Sequence, residues 1–445
     1  MLKRLPLLIA VLALAGWAGN FIIKNFLAVS LIAYGQPGEG SDAAVGYAPA
    51  NAEVLAARAR YLLYRADPPR TDEAIADLQK ATTVSPRDYR YWLELGKAYN
   101  ANGQIPQAET SLQYAVELAP KYFEPRWTLA NLQLRAGQIE QSVAQFRAAI
   151  SLSGGGYGEV SPRLNRNVTL NAFNAITGAV GMSLDVLRRT TPADNAARAY
   201  LAEFLASHDS MNQALEIWRQ LPATGLEADI LSSRDLAVHL LRELQSKNRF
   251  SEAKEVWMKF TSAETGPEDA NNLITNSGFE LSPLSEKYDA LLDPPSGFDW
   301  IMLRHPEVRA SRDSDTSHSG AKALHLVFAA SMNSAFQQIS QLVSVDPSRQ
   351  YRLSYFAKTQ NISSLPNEAP FIEITDAVNP TLFALRSVLP NATPGWNAQT
   401  LTFTTPENTH GLRVKIHAPQ LKTIDHTRIA ELWLDDFNLS QYGER

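Results

Sequence analysis

The residue types that most often carry catalysis are sparse in this chain of 445 residues. No cysteine is present, which excludes disulfide bonds, thiolate metal sites and cysteine nucleophiles. Neither an H-E-x-x-H nor a G-x-S-x-G motif occurs, and the histidines show no metal-ligand spacing. The paired carboxylates of a glycoside hydrolase have no fixed spacing in sequence, so the sequence alone does not decide that case.

Phosphate and nucleic-acid chemistry are not indicated either. The glycine cluster at 153–158 (SGGGYG) matches neither G-x-x-x-x-G-K-[ST] nor G-x-G-x-x-G, so we interpret it as a loop. The formal net charge is −5 and no basic block occurs, so no nucleic-acid partner is predicted. Carboxylates and aromatic rings are left as the groups that could bind a metal or a sugar.

The elements that must position such groups begin with a helix–turn–helix unit of 34 residues at 87–120. Two apolar stripes define its helices, on Trp92, Leu95, Gly96 and Tyr99 and then on Ala108, Leu112 and Ala115. The same spacing of 34 separates Gly103 from Gly137 and Pro86 from Pro120, so three consecutive units are predicted between residues 51 and 152. The pattern returns around Trp218 and Trp257, which gives five helix pairs, or six if residues 164–190 form another.

This succession resembles the tetratricopeptide repeat, W-x2-L-G-x2-Y…A-x3-F…P, with Leu112 in the Phe position. The resemblance implies an α-solenoid over residues 51–260 whose concave groove holds a protein partner. Exposed positions on the first helices are the candidates for that groove: Arg90, Glu94, Lys97, Asn100, Arg126 and Asn131. The alternative for each of them is a solvated helix face. The aromatic residues Trp92, Trp127, Trp218 and Trp257 are predicted to lie in the core.

The N-terminus carries a candidate membrane segment. Lys3 and Arg4 precede an uncharged stretch at 5–23, close to the ~20 residues that cross the hydrocarbon as a helix. We expect a single-pass signal-anchor at 1–34 in a bacterial inner membrane, with a cytoplasmic N-terminus and a periplasmic body. A cleaved signal peptide with an A-x-A site at 13–15 is the alternative, and a buried soluble helix is a third. Residues 35–50, rich in Gly, Pro and Ala, are predicted to be a flexible spacer.

The periodicity changes from 3.6 to 2 after a predicted linker at 261–271. Eight or nine short runs of alternating residues, separated by turn residues, predict a two-sheet sandwich or jelly roll over 272–445. The predicted fold class is therefore multidomain, α followed by all-β.

The motifs of this module resemble the carbohydrate-binding jelly rolls of families four, nine and twenty-two. They are 272–280 (NLITNSGFE), 317–324 (SHSGAKAL), 351–358 (YRLSYFAK), Trp396 and 434–439 (LDDFNL). The resemblance implies sugar-stacking aromatic residues, for which the candidates are Trp300, Tyr355, Phe356 and Trp396. Each of these four could equally be a core residue.

The same resemblance implies a structural Ca²⁺ between Glu280 and Asp435 or Asp436. Calcium prefers six to eight oxygen ligands, which two carboxylates and loop carbonyls can supply. Asp435 shares strand parity with Trp433 and Phe437, so we expect it to face the core and to need a partner there. That partner is either a metal or a hydrogen-bond donor.

Together these features predict a membrane-anchored envelope scaffold that is not an enzyme. Its repeats would bind protein, and its jelly roll would bind glycan, in the export or assembly of a polysaccharide. The competing hypothesis is an assembly or adhesion scaffold whose jelly roll binds no sugar. An exposed aromatic strip on one sheet face would favour the glycan hypothesis, and its absence would favour the scaffold.

Overall fold

A computed structural model describes residues 5–35, 38–153, 162–222, 231–261, 271–283, 297–329, 334–363, 369–420 and 429–443. In these residues fourteen helices are followed by ten strands in two antiparallel sheets, which confirms the predicted fold class. The chain divides into two compact units, Met1–Phe204 and Leu205–Arg445. The glycine cluster at 154–158 and most of the predicted linker lie outside the described residues.

The helices of the first unit follow the predicted pairing. They are α1 (Leu5–Tyr34), α2 (Glu39–Tyr47), α3 (Ala52–Tyr64), α4 (Thr71–Val84), α5 (Tyr89–Ala101), α6 (Ile105–Leu118), α7 (Phe123–Arg135), α8 (Ile139–Ser153), α9 (Pro162–Val180), α10 (Leu184–Thr190) and α11 (Asn195–Ser207), the last of which crosses the boundary. The second unit continues with α12 (Met211–Gln220), α13 (Leu231–Ser246) and α14 (Phe250–Thr261).

Local chemistry sets the helix ends of the repeats. Asp88 caps α5 by accepting a hydrogen bond from the backbone N–H of Arg90 at 3.0 Å. Gly103 and Gly137 close the α5–α6 and α7–α8 turns with φ of +73° and +76°, a conformation that costs other residues energy. Gly96 lets α5 and α6 approach, because a Cβ there would lie 2.5 Å from Leu112 Cγ. The 34-residue period thus repeats both the turn and the packing.

Successive pairs share their cores. On α5, Leu95 belongs to a hydrophobic cluster with α3 and α4, and Leu93 belongs to another with α6 and α7. The first helices pack side by side, since α5 contacts both α3 and α7, whereas no comparable contact joins α4 to α6 in this part of the chain. We call the surface formed by exposed side chains of α3, α5 and α7 the inner face. Of the four predicted core tryptophans, Trp218 and Trp257 are 3% exposed, and Trp92 and Trp127 are partly buried against the repeat cores.

The predicted flexible spacer at 35–50 is wrong, because most of it is helix α2. Ala44 and Ala48, which are buried, pack with Val54 of α3 against Ala28 of α1. Asn51, the cap residue of α3, donates a side-chain hydrogen bond to Asn25 of α1 at 2.8 Å. A helix of nine residues is not stable alone, so this one depends on tertiary packing that composition does not reveal.

The sandwich of the second unit has two five-stranded sheets, one with strand order β1-β4-β9-β6-β7 and the other with order β2-β3-β10-β5-β8. The strands are β1 (Ile301–Met302), β2 (Val308–Asp313), β3 (Ala323–Phe328), β4 (Phe336–Ser344), β5 (Gln350–Ser363), β6 (Phe371–Asp376), β7 (Ala384–Val388), β8 (Asn397–Thr404), β9 (Gly411–Ala418) and β10 (Ile429–Gln441). The sequence pattern missed β1, which is two residues long, and β2, in which polar residues dominate.

The last helix of the array belongs to the same unit as the sandwich. A Cβ on Gly411 of β9 would lie 2.7 Å from the Phe250 ring, and one on Gly297 would lie 2.3 Å from the Trp257 ring. Asn248 also donates a hydrogen bond to the Asn408 carbonyl at 3.2 Å. The compact units therefore separate between Phe204 and Leu205, and not at the predicted linker.

Candidate functional site

The inner face carries a charged cluster at the level of the second repeat. Lys97 on α5 reaches Glu94 one turn away at 3.0 Å and Glu124 on α7 at 2.9 Å. Burial alone would lower the pKa of Lys97, but the two carboxylates outweigh it and the pKa is raised. One cation is therefore held between two anions, and the cluster has a net charge of −1.

The two carboxylates of this cluster differ in exposure. Glu94 Oε2 is buried and has no hydrogen-bond partner among the described residues, whereas the Glu124 side chain is 54% exposed. Glu124 is therefore the acceptor that a ligand can reach directly. Tyr64 at the end of α3 is 62% solvent-accessible. Burial raises the pKa of its hydroxyl, the Glu94 charge raises that pKa further and the Lys97 charge lowers it, so Tyr64 lies within the field of this cluster.

The other predicted groove residues divide into two groups. Arg90 pairs with Asp88 at 2.6 Å and lies 3.9 Å from Glu53 of α3, and Asn100 accepts a hydrogen bond from Arg135 of α7 at 3.3 Å. These contacts place both residues on the inner face.

Arg126 and Asn131 make different contacts. Arg126 donates to Gln145 of α8 at 3.1 Å, and the Asn131 amide donates to the Trp127 carbonyl of its own helix at 2.8 Å. Sequence analysis missed two residues of this surface, Tyr64 and Glu124, which lie in neighbouring repeats. The 34-residue spacing could have found Glu124, because it is equivalent to Arg90.

Two of the four predicted sugar-stacking residues are core residues. Trp300 and Tyr355 have no exposed surface, so neither ring can stack on a sugar. Trp300 packs on Phe279 and Phe437 with centroid separations of 4.9 and 5.2 Å. Tyr355 stacks on Phe437 at 5.0 Å, its hydroxyl lies 2.7 Å from the Ser387 hydroxyl, and burial raises its pKa. The two candidates are corrected to core positions.

The other two predicted rings lie together at the surface. Phe356 and Trp396 are half-buried, and the His318 ring stacks on Phe356 at 3.5 Å and meets Trp396 edge-on at 5.8 Å. The Trp396 indole N–H also donates to the Ser317 carbonyl at 3.1 Å. The three rings form one compact cluster, in which His318 already covers one face of Phe356.

No exposed aromatic strip crosses either sheet in the described residues. Trp433 is 6% exposed because the His325 ring stacks on it at 4.4 Å and Lys358 lies 4.9 Å from its centroid. On the other sheet, Phe371 is 5% exposed, under His417 and the Arg386 guanidinium. These two outward-facing rings are thus covered by the protein's own side chains.

The structure brings the three predicted calcium ligands together around Gly278. A Cβ on this glycine would lie 3.2 Å from Asp435 Oδ1, 3.6 Å from Asp436 Oδ1 and 3.8 Å from Glu280 Cγ. The carboxylates hold the loop that precedes β3. Asp435 Oδ2 accepts from the backbone N–H of His318 at 2.7 Å, and Glu280 Oε1 accepts from that of Ala321 at 2.8 Å.

The ionised form of Asp435 is disfavoured at this position. Burial and, to a smaller extent, the Asp436 charge raise the pKa of Asp435, although backbone N–H groups act in the opposite direction. The donor set suits a hard cation. As they stand, however, the described residues contain no group of three or more His, Asp or Glu side chains that could hold a metal ion. Calcium therefore stays a prediction.

The expectation that Asp435, Trp433 and Phe437 all face the core is correct only for Phe437, because Asp435 pairs with Phe356 and lies on the same outer face as Trp433. All three side chains are largely buried, but Phe437 lies in the sandwich core, whereas Trp433 covers the outer face and donates to Asp313 at 2.8 Å. The pairing of β10 with β5 shifts register between Asp435 and Asn438, and Asp436 has φ of +51°. This bulge turns the strand by one residue, which simple alternation does not anticipate.

Comparison with known proteins identifies part of the helical array. A tetratricopeptide repeat model matches residues 89–122, which are the α5–α6 pair and its turn. The human Superkiller complex protein 3 is 35% identical over 78 residues, which is 18% of this chain and 5% of that protein. Its mouse counterpart is 31% identical over 90 residues, which is 20% of this chain and 6% of that protein. Residues 89–122 are thus a tetratricopeptide repeat, and the rest of those long relatives has no counterpart in the match.

Solved structures resemble each half of the chain separately. The Pseudomonas aeruginosa PilF structure is 14% identical, with a TM-score of 0.29, over 49% of this chain and 97% of that one. The MamA structure is 15% identical, with a TM-score of 0.28, over 41% and 86%. A family 16 carbohydrate-binding module is 17% identical, with a TM-score of 0.26, over 38% and 99%. With scores this low, none of these similarities assigns a function to this chain.

Proposed function

We propose that this chain is a membrane-anchored scaffold, without catalytic activity, that binds a protein partner on its inner face. The observation that supports this most directly is the exposed Tyr64 ring beside the charged cluster of Glu94, Lys97 and Glu124. Tetratricopeptide repeats serve as protein-binding surfaces, and a partner could pair with the exposed Glu124 carboxylate and pack on this ring.

The cluster indicates the chemistry of the partner. A lysine or arginine side chain, or the backbone N–H of an extended segment, fits a site with two carboxylates and one lysine. The exposed ring of Tyr64 offers an adjacent surface for the apolar part of that side chain or for a cation. The partner segment would thus place a donor at Glu124 and pack beside Tyr64.

Membrane anchoring is supported by α1. Its apolar stretch Val11–Tyr34 is 24 residues long and is compatible with a single-pass anchor or with a signal sequence. Large apolar side chains such as Trp17, Ile22 and Phe26 are 65–70% exposed. We favour an anchor over a cleaved signal. Because Ala28 of α1 is completely buried against α2 and α3, cleavage at residue 15 would leave the rest of α1 packed on the body. The exposed apolar side chains of that remaining segment would then face water. Lys3 and Arg4 favour a cytoplasmic N-terminus and a periplasmic body in a bacterial inner membrane.

For the sandwich we propose a scaffold role, because two of its outward-facing aromatic rings are covered. The second candidate is glycan binding at Phe356 and Trp396, which is favoured by their partial exposure beside the polar groups of Ser319 and Asp436. A role in polysaccharide export or assembly depends on this second candidate alone.

Site-specific photocrosslinking in the producing cells tests the protein-binding proposal. A photoreactive phenylalanine analogue replaces Tyr64 on the inner face or, as the control, Gln113, which is exposed on α6. We expect a discrete protein adduct from position 64, a much lower yield from position 113, and loss of the adduct when Glu124→Gln is added. Equal yields at the two positions, or an adduct that does not respond to Glu124→Gln, would contradict the proposal.

A further inference from the structure

A cavity of about 420 Å³ lies where the end of α1 meets α2 and α3. Leu31 and Ile32 of α1 form an apolar wall, and Ser41, Arg60, Tyr61 and Arg65 provide polar groups. Gly38 lets the Tyr61 hydroxyl lie against the backbone, because a Cβ there would lie 2.6 Å from that oxygen. The predicted groove residues are not part of this cavity, but Tyr64 of the proposed protein site also lines it.

The length of α1 places the cavity at the surface of a bilayer. Thirty helical residues extend about 45 Å, whereas the hydrocarbon core is about 30 Å thick. When the span begins at Val11, the start of the candidate membrane span, about 20 residues bring it to Ser30, and residues 31–34 enter the headgroup region. Tyr34, Tyr47 and Tyr64 are exposed around this end of the helix, and tyrosine is enriched at membrane interfaces.

The polar side of the cavity suits an anion. Arg60 pairs with Glu53 at 3.2 Å, so its charge is partly compensated. Arg65 is exposed and forms no side-chain hydrogen bond or ion pair within the described part of the chain. A guanidinium group binds phosphate oxygens through two parallel hydrogen bonds, and the Tyr61 hydroxyl can add a further donor, whereas the Ser41 hydroxyl already donates to the Gly38 carbonyl at 2.7 Å. One face of the same cavity is apolar, which a free inorganic anion would not use.

We propose that this cavity binds the headgroup of an anionic phospholipid. The phosphate would lie at Arg65 and Arg60, and the first part of an acyl chain would follow Leu31 and Ile32 down α1 toward the membrane. The inference rests on the proposed membrane anchoring, because only an inserted α1 brings the cavity to the lipid headgroups. It assigns a second site to the chain, which adjoins the inner face and shares Tyr64 with it.

Native mass spectrometry of the full chain in a neutral detergent tests this site. The probes are phosphatidylglycerol, phosphatidylcholine with the same acyl chains, and inorganic phosphate. Arg65→Gln removes the cation that has no partner, and Arg87→Gln is the matched control, because Arg87 is exposed and does not line the cavity. We expect one retained phosphatidylglycerol molecule, an affinity about tenfold lower with Arg65→Gln, and no change with Arg87→Gln.

Three results would overturn the proposal. Equal retention of phosphatidylglycerol and phosphatidylcholine would mean that the headgroup is not recognised, and full retention by Arg65→Gln would place the lipid elsewhere. Inorganic phosphate that binds as tightly as the lipid would assign the cavity to a free anion.

Alkaline carbonate extraction of the producing cells' membranes separates the two proposals. Release of the full chain would contradict the anchor itself. A chain that stays in the membrane but shows no preference for phosphatidylglycerol would contradict the lipid site alone.

Discussion

The inner face of the helices and the surface of the sandwich expose their aromatic groups to different extents. On the inner face, a buried oxygen of Glu94 has no donor and Tyr64 is exposed. On the sandwich, Asp435 accepts from three backbone N–H groups, and Trp433 and Phe371 are covered by stacked side chains. Buried polar atoms without a hydrogen-bond partner among the described residues also occur in the sandwich, at Arg352, Thr375 and Thr409, so the contrast lies in the exposed ring of the inner face and the covered rings of the sandwich. This difference supports the proposal that the repeats bind the partner.

The strongest test of this contrast is Trp300→Ala. Removing a fully buried tryptophan costs about 3–5 kcal/mol, so we expect the sandwich transition to fall steeply in temperature or to be lost. Near-UV circular dichroism of the full chain during thermal unfolding measures it. Trp396→Ala is the matched control, with an expected cost of about 1 kcal/mol, because that ring is half-buried and makes one hydrogen bond. Equal and small losses would return Trp300 to the list of ligand-binding candidates.

Calcium is the next test, because it could break the description of Asp435 as a satisfied anchor. If calcium binds, it offsets two of the three negative charges around Gly278, and at ~100 times its Kd it stabilises the sandwich by about 2.7 kcal/mol. We therefore expect EDTA to lower the Tm of the sandwich transition and Asp436→Asn to abolish this response. A Tm that is the same in calcium and in EDTA would refute the predicted metal and leave the carboxylates as loop anchors.

A pair of glycine substitutions tests the close packing of the repeats behind the inner face. Gly96→Ala forces a Cβ to within 2.5 Å of Leu112 Cγ, so we expect a loss of about 1–3 kcal/mol. Gly178→Ala in α9 meets no atom within 4 Å, so it should stabilise the helices by about 0.5–1 kcal/mol. Urea unfolding followed by far-UV circular dichroism compares the two. A loss of the same size at both positions would mean that close packing at Gly96 is not the cause.

The smallest expected effect concerns the cap of α5. Asp88 accepts from the Arg90 backbone, and the ion pair with the Arg90 guanidinium lowers the pKa of Asp88. Because the folded-state pKa lies below the unfolded one, the stabilisation is present at neutral pH and is lost as acid protonates the folded carboxylate. Asp88→Ala should cost about 1 kcal/mol at pH 7 and much less at pH 2. Asp88→Asn keeps the cap and should remove the pH dependence, and an unchanged dependence would assign it to another group.

What the sequence predicts well is local and periodic. The spacing of 34 predicts α3 to α8 because equivalent residues recur in each repeat. Gly103 and Gly137 close the turns, and the alanines of the second helices allow close packing. The alternation of residues 411–417 predicts β9 because its inward side chains, such as Leu412 and Val414, enter one core. Eight of the ten strands follow from such patterns.

What the sequence does not predict depends on distant contacts. Helix α2 forms because Ala44 and Ala48 pack near Ala28 of α1, and the local sequence at 35–50 does not predict that contact. The bulge at Asp436 reverses the faces of neighbouring residues, so strand parity misplaced Trp433. Two of the four sugar-stacking candidates, Trp300 and Tyr355, are core residues for a related reason, since an aromatic ring has the same sequence signal whether it is core or ligand surface.

The packing of α1 against α2 and α3 has a consequence for how a partner is found. A chain that hangs from its membrane by a loose tether samples a hemisphere, whereas this one holds its first repeats at a constant height above the bilayer once α1 is inserted. Every copy in the membrane then presents its inner face in the same plane. A partner confined to the same membrane would search for it by lateral diffusion in two dimensions, at a much higher effective concentration than in free solution.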